Sequence, residues 1–233
     1  MVSHMLDELS EPGGARQLSE RVAAYLREAI MVGELPAAEY VRTEHLAARL
    51  GVSATPVREA LMILHSEGAV RWEPRRGFRV VPLSTQDVAD LFALQAHVAG
   101  ELAARAAARL TPEQLAALHA AQTSLEAAAV AGELARVGAL NHEFHRTINR
   151  AALSPRLAAV LTLFVHYVPR KYYDQVEGWA KATTDDHGAV LTALTAGDPA
   201  AARAAMHEHI THIGTLLTRH MQLIGVLPAE GAA

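Results

Sequence analysis

The chain has 233 residues, 51% of them hydrophobic and 5% aromatic, with 47 alanines and no cysteine. That composition supplies a sizeable core, favours long helices over sheet, and excludes disulfides, thiolate metal sites and cysteine nucleophiles. A net charge of −4 excludes a uniformly basic nucleic-acid coat, but Arg42 to Arg79 holds 7 arginines against 4 glutamates, whereas residues 84–233 hold 10 of the 13 histidines.

Residues 1–15 are read as a disordered N-terminus or tag remnant, with Ser3-His4-Met5 as a cloning scar, and the acidic opening Met1 to Pro12, which lacks a basic region, is not read as a secretory signal. The longest apolar run, Ala158 to Val168, is broken by His166 and is too short to span a bilayer. A soluble, cytoplasmic, mainly α protein without a membrane partner is expected.

Leu18 to Met31 reads as a first helix, stopped by Gly33 and Pro36. A second spans about Thr43 to Leu50, Gly51-Val52-Ser53 turns tightly, and a third runs from about Thr55 to Ser66 with Pro56 in its first turn. Val57, Leu61 and Leu64 give that helix a buried stripe. Gly68 ends it, and Ala69 to Glu73 and Phe78 to Val81 predict a hairpin around Pro74-Arg75-Arg76-Gly77. Three helices with a basic hairpin predict an N-terminal winged helix-turn-helix over residues 16–82.

After Pro82 the pattern is helical. Ser84-Thr85-Gln86-Asp87 reads as a capping box opening a helix to about Leu110, and Thr111-Pro112-Glu113-Gln114 repeats that logic. Gly132 separates the next helix from one ending near Ala152. Ser154-Pro155 opens another, which Pro169 should break. Thr183-Thr184-Asp185 is expected to cap a fifth, and Gly197-Asp198-Pro199 to begin a last helix to about Leu223. An antiparallel α-helical bundle over residues 84–225 follows, with 226–233 as a tail.

Leu46-Ala-Ala-Arg-Leu-Gly-Val-Ser-Ala-Thr-Pro-Val-Arg-Glu-Ala-Leu61, with Glu67-Gly68 and Arg76-Gly77, resembles the DNA-binding domain of GntR-type bacterial regulators. The resemblance implies a third helix in the major groove, with Arg58 reading a base, Thr55 bonding phosphate, and Arg75, Arg76 and Gly77 at the wing tip. This chain departs from the family at Ala54, where an arginine is usual, and at Arg42-Thr43-Glu44, where Ser-Glu-Arg is usual; Arg42 is expected to substitute for one missing arginine.

The back half resembles the helical ligand-sensing domain of the FadR branch of that family, the FCD domain. The carrying motifs are Leu140-Asn-His-Glu-Phe-His145, Asp186-His187, Leu194 to Asp198, and Ala201 to His209. The resemblance implies a divalent transition metal, zinc or nickel, held by Asn141, His145, His187 and His209. Asn141 replaces a usual aspartate, so the site gains no charge from it, which favours an anionic effector. Asn141 and His145 stand one turn apart on one helix face, as such a site needs. His212, three residues beyond His209, is a stand-in ligand.

Gln95 sits where relatives place an arginine that grips an effector carboxylate; Arg146, Arg150 and Tyr167 are further candidates for contacting the effector. The expected protein is a homodimeric repressor of a two-fold symmetric DNA operator, controlled by a small organic acid at the metal. Leu91, Leu94, Val98, Leu102, Leu157, Leu161 and Phe164 are candidates for interface or core. A metal-free apolar effector cavity is the alternative. A metal-dependent hydrolase is disfavoured, since His142 and His145 flank Glu143 at i, i+3 where a zinc protease helix needs i, i+4. No enzyme activity is expected.

Overall fold

A computed structural model describes residues 15–165 and 170–228. The chain divides into two units, one of residues 1–84 with 221–233 and one of residues 85–220. Among the described residues no helix is long and apolar enough to cross a membrane.

The first unit opens with α1 (Ala15–Met31), whose Val22, Ala23, Leu26 and Ala29 are buried along one stripe. The helix-turn-helix is α2 (Thr43–Leu50) and α3 (Ala54–Ser66). Gly51 ends α2 at φ +67°, and its N–H returns to Ala47 and Ala48 carbonyls, which turns the chain within three residues. Leu46 and Leu50 from α2 meet Val57, Leu61 and Leu64 from α3 in the core. Arg27 on α1 forks onto Glu67 at the end of α3 through Nε–Oε2 (2.8 Å) and Nη2–Oε1 (2.5 Å), fixing the pose of α3 from behind.

Strands β1 (Tyr40–Val41), β2 (Val70–Glu73) and β3 (Gly77–Val80) form one antiparallel sheet in the order β1-β3-β2. Trp72 faces Phe78 and Val41 faces Phe78 from the other side. The hairpin expected from the sequence therefore gains a third strand. Two residues are too few to carry a period-2 signal, so β1 is set by its partner, not by its own composition. The wing turn closes with the Arg76 N–H on the Glu73 carbonyl (3.1 Å), and Arg75 takes φ +67°. Gly77 follows at φ +99°, and a Cβ there would lie 2.8 Å from the Val41 carbonyl oxygen.

The second unit contains α4 (Thr85–Ala107), α5 (Pro112–Val130), α6 (Leu134–Ala151), α7 (Pro155–Val165), a 3₁₀ turn (Arg170–Gln175), α8 (Trp179–Thr195) and α9 (Pro199–Leu223), of which the last three residues belong to the first unit. Thr111 and Gln114 cap α5 reciprocally at 3.3 and 3.0 Å. Asp198 caps α9 through the amides of Ala200 and Ala201 (2.9 and 3.1 Å). Leu102, Leu118, Phe144, Ile148, Leu194 and Met206 fill the bundle core. A Cβ on Gly214 would come within 2.5 Å of the Phe92 ring, so α9 has a notch there that seats Phe92.

One expected boundary is wrong. The fifth bundle helix begins at Trp179, not at Thr183, and Gly178 at φ +80° is its N-cap. Thr183 is fully buried inside the helix, Thr184 donates to the Lys181 carbonyl (2.7 Å), and Asp185 pairs with Lys181 (2.5 Å). Buried Trp179, stacked on Tyr173, anchors the extra turn that cap chemistry alone did not suggest. The break expected at Pro169 lies outside the described residues.

The Gly77 geometry gives a stability test. Gly77→Ala is expected to destabilise the first unit by about 1–3 kcal/mol, because backbone cannot yield to the new Cβ and the φ is strained. A urea unfolding midpoint unchanged from the parent would contradict this account of the wing.

Candidate functional site: a basic groove and a buried histidine cluster

In the first unit, α2, α3 and the wing enclose an open groove of roughly 1090 Å³. Arg42, Thr55, Arg58, Arg75, Arg76 and Gly77, all singled out in the sequence, line it together. Arg42, Arg58 and Arg75 are exposed and their side chains hydrogen-bond no other described residue, so their guanidinium donors stand free for phosphate or base edges. Arg76 is held instead: Nη1 donates to the Tyr40 hydroxyl (3.0 Å), which donates to Glu73 (2.8 Å), and its guanidinium lies 5.6 Å from the Tyr40 ring centre. Tyr40 was missed by the sequence reading because its role depends on β1. The same groove exposes Met62 and Trp72 at about half their surface (49% and 52%) beside Glu44 and Glu59.

In the second unit, three imidazoles converge from three helices: His145 on α6, His187 on α8 and His209 on α9. One nitrogen from each lies within 4.8 Å of the others. His187 and His209 are buried (0% and 2% exposed), and His187 stacks on Phe144 at 4.0 Å, nearly parallel. Gln122 on α5 donates through Nε2 to Glu126 (2.8 Å) and to the Thr184 carbonyl (3.0 Å). Its Oε1 is thereby turned to accept from His187 Nδ1 at 3.0 Å. The His187 proton sits on Nδ1, and Nε2 presents a lone pair.

Asp186 does the same for His209, accepting from Nδ1 at 3.2 Å, so that His209 Nε2 faces His145 Nε2 at 3.3 Å. Two polar atoms here are buried without a partner: His187 Nε2 and Asn141 Oδ1, the latter one turn before His145 on α6. Each such orphan costs about 1–3 kcal/mol unless something occupies the site. Three imidazole nitrogens and an amide oxygen are a donor set for a first-row divalent ion. The residues fit the group that the sequence resemblance implies.

Gln122 and Asp186 orient the rings from behind, as metal-binding histidines require. No local signal marks Gln122, which lies 65 positions before His187. His212 does not join the cluster; it is exposed and its Nδ1 bonds Asp186 at 3.0 Å.

The cluster opens into a cavity of about 730 Å³ between α4, α6, α7 and α9. Asn141, His145 and His209 line one part of it. Gln95 also lines it, but it is buried and donates to the Phe164 carbonyl at 3.4 Å. Arg146 and Arg150 reach its exposed rim, where Arg146 pairs with Glu143. Tyr167 lies outside the described residues.

A winged helix that gathers free arginines in one groove, carried in one chain with a helical unit enclosing a ligand-sized cavity, defines a DNA-binding regulator with a sensing domain. Residues 18–80 match the family model of bacterial regulatory proteins of the gntR family, and residues 90–212 match that of the FCD domain. The chain belongs to the FCD-containing GntR family of transcriptional regulators, which are not enzymes.

It is 28% identical over 194 residues to a probable D-xylose utilization operon transcriptional repressor of Paenarthrobacter nicotinovorans, covering 81% of this chain and 85% of that one. It is 28% identical to the Exu regulon transcriptional regulator of Escherichia coli K12, covering 90% and 87%. The structure of E. coli McbR/YncC superposes with a TM-score of 0.65 at 25% identity, covering 87% of this chain and 97% of that one.

Burial also fixes the protonation of His145 and His187. Desolvation, then the neighbouring His209 and His142, push the His145 pKa down to about 3; desolvation, then His145 and His209, hold His187 well below its usual value. Both rings are neutral at pH 7, as ligation requires. Between pH 3 and 6.5 the unfolded chain binds more protons at these rings than the folded one, so stability rises with pH across that window. The metal-free protein is therefore expected to lose stability on acidification from pH 7 to pH 5, and His145→Leu to lose less over the same interval. Urea midpoints falling equally in both would show that His145 is not the titrating group.

Proposed function

We propose that the chain is a homodimeric, cytoplasmic repressor that releases its operator when an organic acid binds at a metal in the helical unit. The observation that carries this reading is the convergence of His145, His187 and His209 beside the orphaned Asn141 oxygen at the edge of a ligand-sized cavity. A zinc or nickel ion there would be held by Asn141, His145, His187 and His209 and would supply a Lewis-acid anchor for a carboxylate. Asn141 brings no charge, so the centre keeps more of its pull on an anion. Repression is the sense in which the Paenarthrobacter relative is named. A metal-free use of the same cavity is the second reading, favoured by its apolar walls. Elemental analysis after purification without nickel resin separates the two: at least half an equivalent of a transition metal supports the first, and none taken up on titration leaves the second.

On DNA, Arg58 would fork onto a guanine in the major groove, Thr55 and Arg42 would hold phosphates, and Arg75, Arg76 and Gly77 would place the wing. Arg58→Ala is expected to lose about 1–3 kcal/mol of specific binding. Removing Arg75 and Arg76 together should weaken all sequences and flatten the salt dependence. Gel-shift titrations at several salt concentrations check both; unchanged operator affinity in Arg58→Ala would refute the base-reading assignment.

One winged helix covers a half-site, so a two-fold operator calls for a dimer. Of the apolar residues on α4 and α7, Val98, Leu102 and Leu161 are core, whereas Leu94, Val160 and Leu163 are exposed on these two packed helices and are the better candidates for pairing. Light scattering should give twice the 25.0 kDa chain mass, and Leu94→Glu with Leu163→Glu should return it to 25.0 kDa. A parent monomer at micromolar concentration would rule the dimer out.

A further inference from the structure

The walls of the cavity sort its polar groups onto one side. On α4 the lining residues are Phe92, Gln95 and Ala99; on α9, apart from His209, they are Ile210 and Ile213. On α7 they are Pro155, Ala158, Leu161, Thr162 and Val165. The few polar side chains among these each make one hydrogen bond within the protein. Gln95 donates to the Phe164 carbonyl (3.4 Å), and Thr162 returns its hydroxyl to the Ala158 carbonyl (2.9 Å). Ser154, in the turn before α7, accepts from Arg105 (2.9 Å). By contrast α6 lines the cavity with Asn141, His145, Asn149 and Arg150, and the Tyr173 hydroxyl adds one more polar group nearby.

A ligand in this space meets an anion-binding edge and, across from it, walls that are mostly hydrocarbon, with Gln95 and Thr162 as the polar exceptions on α4 and α7. A hydroxyl placed against Phe92, Ala158, Leu161, Ile210 or Ile213 leaves water and gains no partner, which costs about 1–3 kcal/mol each. Each methylene placed there gains from leaving water instead. Resting on the acid-responsive reading above, we infer that the effector is a carboxylate on an apolar body, of the alkanoate or arylalkanoate kind, and not a polyhydroxylated sugar acid. The carboxylate lies at the histidine end, within reach of the α6 polar groups. The hydrocarbon lies against Phe92, Ala158, Leu161, Ile210 and Ile213.

The test is calorimetric titration of the zinc-loaded full chain with straight-chain alkanoates from acetate to octanoate, set against gluconate. Hexanoate and gluconate share a carbon count and a carboxylate and differ in hydroxylation, so they form a matched pair. Affinity should rise about fourfold for each added methylene until the cavity is filled, and hexanoate should bind at least tenfold more tightly than gluconate. Ile210→Thr, which adds a hydroxyl to a partly exposed wall position, should weaken hexanoate three- to tenfold with the zinc stoichiometry unchanged. Gluconate binding as tightly as hexanoate, or an alkanoate series flat in chain length, overturns the inference while leaving the acid-responsive reading standing. Zinc uptake with no binding of either acid overturns both.

Discussion

Turning three imidazoles from three helices toward one point is the constraint around which the helical unit is arranged. His187 and His209 each have Nδ1 held from behind with Nε2 turned inward, and those bonds recruit elements far apart in sequence. His187 requires α5 to bring Gln122 to it, and Gln122 in turn requires Glu126 and the Thr184 carbonyl to settle which way its amide points. His209 requires Asp186 from α8. Phe144 closes the cluster by stacking on His187. The interlock of α5, α6, α8 and α9 is therefore as much a hydrogen-bonding requirement as a hydrophobic one.

The winged unit was the more legible half, for reasons of distance. Its turn, its stripe of Val57, Leu61 and Leu64, and its basic hairpin sit within some forty residues, and glycine and proline punctuate each boundary. What the sequence left out there was β1, whose two residues are ordered by β3, and with it Tyr40, which steers Arg76. In the helical unit, His145, His187 and His209 could be picked out, but the groups behind them could not be ranked. Gln122 is one of two glutamines on an alanine-rich helix, and its meaning comes from a neighbour 65 positions away.

The misplaced start of α8 has a related cause. Threonine and aspartate are good caps when they end a chain segment, and equally able to satisfy themselves inside a helix. Thr184, Thr192 and Thr211 all return their hydroxyls to the preceding turn. That habit makes nominally polar helix faces behave as apolar ones, which is also why the α7 side of the cavity offers so little to a hydroxylated guest. Tertiary anchoring by Trp179 decided the boundary, and no local pattern announces it.

The cavity-facing stripe of α6 runs from Gly138 through Asn141, His145 and Asn149 to Leu153, just past its end, each step three or four residues long. Inserting or deleting one residue before Asn141 would turn the whole stripe by about 100° and swing Asn141 and His145 away from the chamber together. On α7, whose cavity face is uniformly hydrocarbon apart from one self-bonded threonine, the same change would exchange one apolar surface for another. Length variation should thus be tolerated very unevenly along this chain. Indels within α6 should abolish sensing outright, whereas those in α7 should keep the chamber's hydrocarbon lining and reshape it.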